Sequence, residues 1–217
     1  MKVSVDAMLG KEIQTNEILP KHYAVKVPQF SFMRLDGADP ILGVEMASTG
    51  EVACFGKKFS DAFLKSLMSS QLKIPFKDSS VLITVPDEYK PKIVNTAKKL
   101  ADLGFKIYST SGTSKFLKGQ GIDSELLYKV SENMEPNILD HLINKKIDLV
   151  ITIPPLKGDG IAVEDNYLIR KTAMEFSIPT FMELNLAEAV VNSIKEMRDE
   201  EFEVMALNDY VKKEVIK

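Results

Sequence analysis

The sequence predicts an α/β fold built on a parallel sheet with helices on both faces, and three observations carry that reading. Two unbroken apolar runs, residues 80–85 (SVLITV) and 149–153 (LVITI), are the mark of strands buried on both faces. Short strand-like runs alternate with helical patterns around them, as in βαβ units. Pro91 and Gly104 punctuate the first helix of this series, proline just inside its start and glycine just past its end.

The first ~75 residues are irregular, carrying Pro20, Pro28, Pro40, Gly37, Gly43, Gly50 and Gly56. Extended runs fall within 23–32, and 51–55 (EVACF) reads as a strand. A helix fits 60–72, with Ser60 as its cap and Phe63, Leu64, Leu67 and Met68 on one face. These elements are too few for an independent core, so the stretch reads as the edge of something larger.

From about residue 79 the pattern is regular. A strand at 80–85 leads to a helix ending at Leu103, whose inner face is Ile93, Val94, Ala97, Leu100 and Ala101. A second strand at 105–109 is followed by a short helix at 113–118 that stops at Gly119 or Gly121. A third strand is expected at 126–130, a helix at 137–145, and the fourth strand at 149–153. A helix at 166–176, a fifth strand at 180–183 and a last helix at 187–197 complete the series, and the acidic stretch 198–203 reads as solvated. No internal repeat or low-complexity tract interrupts it.

Composition narrows the function. The 217 residues are 45% hydrophobic and 27% charged, an ordinary folded composition. Acidic residues outnumber basic ones 31 to 28, for a net charge of −3, which argues against nucleic-acid binding. No apolar run reaches the roughly 18 residues of a membrane span. The opening MKVSVDAMLGKE is broken by Lys2, Asp6, Lys11 and Glu12 and lacks a signal-peptide core. Cys54 is the only cysteine, and His22 and His141 lie far apart, so neither a disulfide framework nor zinc-ligand spacing is present. The expectation is a reduced, cytoplasmic protein without a metal.

Open parallel sheets bind ligands beyond the carboxyl ends of their strands. After the second strand stands Ser109-Thr110-Ser111-Gly112-Thr113, a hydroxyl-rich turn at a helix N-terminus. Such a turn can cradle an anion, and it can equally serve as an ordinary helix cap. Lys90, expected just after the first strand, and Lys129, expected at the end of the third, could supply charge to the same loop. Each alone reads as a surface lysine, and their joint placement at strand ends is the informative part. Cys54 reads as a small buried hydrophobe, His141 as structural, and Glu164 and Asp165 as acids favoured at a helix start. Phosphate-loop, dinucleotide-binding and nucleophile-elbow motifs are absent.

Residues 27–56, with DPILGVEMASTGEV at their centre, resemble the closing segment of the second ATP-grasp unit in the large chain of carbamoyl-phosphate synthases. Residues from about 78 onward resemble the methylglyoxal-synthase-like domain that follows it. The cues are FKIYSTSGTSKFL, the lysine of LLYKV, IDLVITIP, and EDNYLIRKTA followed by SIP. The resemblance implies a division into a 1–76 ATP-grasp remnant and a 77–217 effector-binding domain with a flavodoxin-like, five-stranded, mostly parallel sheet.

It also implies a role in regulation. The family makes carbamoyl phosphate from glutamine-derived ammonia, bicarbonate and ATP for arginine and pyrimidine synthesis, and this domain is its allosteric site. The implied effectors are UMP, IMP or acetylglutamate. The implied effector-binding residues are Lys90, Thr110, Gly112, Thr113 and Lys129, with Thr152 and Asn166 matching two further ligand positions. The implied partners are the rest of the large chain and the small glutaminase chain. ATP and its Mg, Mn or K would belong to the ATP-grasp part, so no cofactor is expected here. The chain would be a separately encoded piece or a fragment, inactive by itself.

Departures from the family sharpen these expectations. The loop Ile153-Pro154-Pro155-Leu156 stands where relatives offer polar residues, which leaves the effector open, while Lys129 favours a phosphate-bearing one. The alternative is a methylglyoxal-synthase-type lyase. Such an enzyme needs an aspartate and a histidine at places that here read near Pro136 and Ala162, leaving proton abstraction without a base.

Overall fold

The computed structural model describes residues 2–13, 21–31, 41–154 and 160–212. The expectations placed on Pro20, Phe32, Gly37, Pro40, Pro155 and Leu156 lie outside the described residues.

Five parallel strands form the main sheet: β3 (Ser80–Thr84), β4 (Lys106–Ser109), β5 (Glu125–Leu126), β6 (Leu149–Thr152) and β7 (Thr180–Phe181). Their spatial order is β5-β4-β3-β6-β7. The α/β architecture is the one expected, with a finer difference. Counted within this sheet, the order is third, second, first, fourth, fifth, whereas flavodoxin has second, first, third, fourth, fifth. The order in which strands are added therefore switches from one side of β3 to the other at β6, and in such sheets the ligand crevice lies at the carboxyl ends of those two strands.

Why 80–85 and 149–153 are continuously apolar is clear from the packing. Val81, Ile83, Leu149 and Ile151 face one core with α2 (Phe59–Ser69), α3 (Lys90–Asp102) and α7 (Leu184–Met197). Leu82 and Val150 face the other, against α5 (Ile138–Ile143) and α6 (Gly160–Glu175). Helix α4 (Ser111–Gly119) contributes Leu117 to the first core.

Three of the boundaries that differ from expectation bear on the loops beyond the strand ends. The third strand is only Glu125–Leu126, and Val130–Glu132 is a 3-10 turn, so Lys129 enters a turn rather than ending a strand. The reason is local: the Lys129 N–H donates to the Glu132 carboxylate at 2.7 Å, and Asn133 takes a left-handed φ of 49°. Helix α6 begins at Gly160, so Asn166 lies within the helix rather than at its start. Helix α4 begins at Ser111, which puts Gly112 inside its first turn.

The first stretch contains α1 (Lys2–Met8) and an antiparallel pair, β1 (Tyr23–Gln29) and β2 (Gly50–Gly56). Phe63, Leu64 and Leu67 of α2 share one face as expected, and that face joins the main core. Ser60 does not cap α2: its hydroxyl donates to the Glu196 carboxylate on α7. The acidic stretch 198–203 is not simply solvated. Glu200 pairs with Lys58 at 2.5 Å, Glu203 with Lys57 at 2.6 Å, and the Phe202 ring meets Phe76 edge-on at 5.7 Å. Its acids are drawn to the lysines flanking β2 and α2. Helix α8 (Leu207–Lys212) follows, and its Tyr210 hydroxyl donates to the Phe55 carbonyl at 3.1 Å.

Cys54 is half-buried, with its Sγ 3.4 Å from the Ser69 hydroxyl. His141 has a structural setting: its Nδ1 lies 3.0 Å from the Asn137 carbonyl and its ring meets Tyr108 edge-on. Among the described residues, no helix is long and apolar enough to cross a membrane.

Candidate functional site

The crevice between the ends of β3 and β6 opens into a cavity of about 240 Å³. Drug-sized ligands occupy roughly 300–1,000 Å³, so this cavity suits one small group, with the remainder of any larger ligand outside. Six of the seven sequence-predicted residues line it: Lys90, Thr110, Gly112, Thr113, Lys129 and Asn166. The seventh, Thr152, is fully buried behind the wall and donates its hydroxyl to the Asn166 side-chain oxygen at 3.0 Å. Thr152 therefore positions Asn166.

The floor is the N-terminus of α4. Its first N–H groups have no partner within the helix, and the helix dipole favours negative charge there. Thr110 is the N-cap residue, yet its side chain makes no capping hydrogen bond. Its hydroxyl lies 3.5 Å from the Thr84 hydroxyl and donates to that of Thr113 at 3.4 Å. The Thr113 hydroxyl in turn donates to the Val85 carbonyl at 3.4 Å. All these contacts are longer than the usual hydroxyl range of about 2.5–3.0 Å, so a ligand oxygen could improve on any of them.

Two cations approach this floor from opposite walls. Lys90, the first residue of α3, reaches across so closely that a Cβ added to Gly112 would stand 2.9 Å from its Nζ. Its partner is Asp87, at 2.5 Å, whose carboxyl Lys90 holds below the usual carboxylate range. Lys129 comes from the 3-10 turn, with its Nζ 4.0 Å from Asp165.

Asp165 has a different role from the one its sequence position suggests. It lies within α6, only 4% exposed, and accepts hydrogen bonds from the Ser131 N–H at 3.2 Å and the Ser131 hydroxyl at 2.6 Å. It thus clamps the turn carrying Lys129 and Glu132 against α6. Asp165→Ala is expected to destabilise the protein by about 1–3 kcal/mol, because it removes two hydrogen bonds to a buried carboxylate. It should also weaken anion binding severalfold by freeing the turn, with Ser131→Ala giving a smaller loss. Urea unfolding and phosphate titration of both variants check this.

Sequence reasoning missed Thr84, Asp87 and Glu132, which also line the cavity. Thr84 ends β3 beside the reversal point, so the strand-end rule could have found it. Ile153 supplies an apolar wall. Among the described residues, no group of three His, Cys, Asp or Glu side chains could hold a metal ion.

Comparisons with known proteins bear on the family of the chain. Residues 92–182 match the MGS-like domain family. The chain is 39% identical to the carbamoyl phosphate synthase large chain, C-terminal section, of Aquifex aeolicus, over 87% of this chain and 35% of that protein. It is 38% identical to the same section from Methanocaldococcus jannaschii, over 88% of this chain and 30% of that one. With the carbamoyl phosphate synthase large chain of Thermoplasma acidophilum the identity is 37%, over 97% of this chain but only 19% of the relative. The chain thus spans well under half the length of these curated relatives. It carries an MGS-like domain at 92–182 and is similar, over most of its length, to the carbamoyl phosphate synthase large chain and its C-terminal section.

Proposed function

We propose that this chain is the effector-binding, regulatory part of a carbamoyl-phosphate synthase large chain, and that its cavity takes the phosphate group of a nucleotide effector such as UMP or IMP. Under this reading it serves carbamoyl phosphate synthesis for arginine and pyrimidines. Its partners are the remainder of the large chain and the glutaminase chain. ATP and its metal ions bind in the ATP-grasp part, and residues 1–76 are the tail of that unit.

One observation carries the phosphate reading: the N-cap threonine of α4 leaves its side chain out of capping while two lysines from different elements reach the same helix end. A plain capping turn would use that hydroxyl on the helix. The acids on the cavity wall, Asp87 and Glu132, are engaged by Lys90 and by the Lys129 N–H, which favours binding over proton abstraction.

Calorimetric titration of the full chain with UMP, IMP, inorganic phosphate and acetylglutamate tests the proposal. A charge-assisted hydrogen bond contributes about 1.5–3 kcal/mol, so Lys129→Ala should weaken phosphate-ligand binding by roughly 10- to 100-fold. Thr113→Val should weaken it less, while both variants keep the wild-type unfolding free energy within about 1 kcal/mol. Binding by no member of the panel, or binding indifferent to both changes, would leave only a structural turn.

A further inference from the structure

We propose that Asp87 is an internal competitor for the anion site, holding Lys90 in the empty protein and giving way when a phosphate group enters. This inference rests on the phosphate reading of the cavity and adds to it a residue that lowers affinity.

The pair is unequal. The Lys90 side chain is only 14% exposed, whereas that of Asp87 is 94% exposed, on the short 3-10 turn Asp87–Tyr89 just before α3. A mostly buried ammonium needs a partner, and Asp87 provides one at 2.5 Å. The same carboxylate loses little by leaving, because it is already hydrated. Lys90 holds the Asp87 carboxyl below the usual carboxylate range, so the competitor stays ionised near neutral pH.

Charge counting points the same way. Among the described residues, the charged side chains lining the cavity are Lys90, Lys129, Asp87 and Glu132, which cancel, and Asp165 lies behind Lys129. From these four side chains an incoming phosphate meets no net positive charge unless one acid withdraws. Glu132 is fixed by its bond to the Lys129 N–H at 2.7 Å, and Asp165 by its two bonds to Ser131. Asp87 is the acid whose described bond runs to the same lysine the ligand needs, and it can turn outward into solvent.

The test compares the full-length wild type with Asp87→Asn. Exposed ion pairs are weak, so the variant should bind inorganic phosphate tighter by roughly two- to fivefold. Without ligand, removing the carboxylate also frees the amine for reaction. Acetic anhydride should therefore label Lys90 faster in the variant, as read by mass spectrometry. Phosphate affinity equal to or weaker than wild type, or unchanged Lys90 labelling, overturns the competitor while leaving the cavity reading intact. Phosphate binding by neither protein overturns both.

Discussion

Gly112→Ala should make the protein more stable and at the same time deprive its cavity of phosphate. Gly112 sits in the first turn of α4, and it is not among the glycines at positive φ, which are Gly10, Gly104 and Gly121. Nothing in the backbone therefore demands glycine, and helical alanine is favoured over glycine by up to about 1 kcal/mol. For a chain of this length that corresponds to a rise of roughly 2–4 °C in Tm. The added Cβ would stand 2.9 Å from Lys90 Nζ, the end of a flexible side chain, which can swing away at little cost. Swinging away removes Lys90 from the anion, and losing one charge-assisted bond weakens binding by about 10- to 100-fold. Gly112→Val should lose more affinity, since a branched side chain also fills the cavity, and should show no gain in Tm. Thermal unfolding and phosphate calorimetry on the same samples decide the matter. An alanine variant that binds phosphate like the wild type would mean that Lys90 does not contact the ligand. The lack of a side chain at Gly112 leaves the room that Lys90 Nζ takes.

A chain beginning at residue 77 should not fold as a stable soluble unit. The sequence places a division near 76 and leads one to expect residues 78–217 to fold alone. The core disregards that division: Phe63, Leu64, Leu67 and Ile74 belong to the same buried cluster as Val190 and Ile194 of α7. Fully burying one such side chain stabilises by about 1.5–3 kcal/mol, so removing four forfeits on the order of 6–12 kcal/mol. That is comparable with the whole stability of a typical domain, about 5–15 kcal/mol. The face of α7 left bare would promote association. We therefore propose that position 76 marks a junction of sequence families and that the folding unit starts no later than α2. Leu64→Ala gives a graded version of the same test, with an expected loss of about 2–5 kcal/mol, since Leu64 is fully buried. Urea unfolding of full-length, truncated and Leu64→Ala proteins provides the comparison. A 77–217 chain that unfolds cooperatively at the wild-type midpoint would restore the division at 76.

Much of this protein was legible from its residues in order. Buried strands announce themselves by unbroken apolar runs, because both of their faces meet core, and β3 and β6 did so. Amphipathic spacing placed α2 and α3, since a helix with one wet face must repeat its apolar residues every three or four positions. The hydroxyl-rich turn and the two lysines stood out as chemistry looking for a site. What the linear order could not carry was decided by tertiary contact. The neighbouring order β5-β4-β3 is what brings Lys90, after β3, and Lys129, after β5, to the end of the helix that follows β4. Lys129 reaches it because Glu132 and Asp165 turn a would-be strand into a 3-10 corner. The acids at 200 and 203 look solvated until Lys57 and Lys58 are set beside them. Periodicity reports how a segment meets its surroundings, whereas charge pairing between distant segments depends on where the fold puts each end, and no local pattern records that.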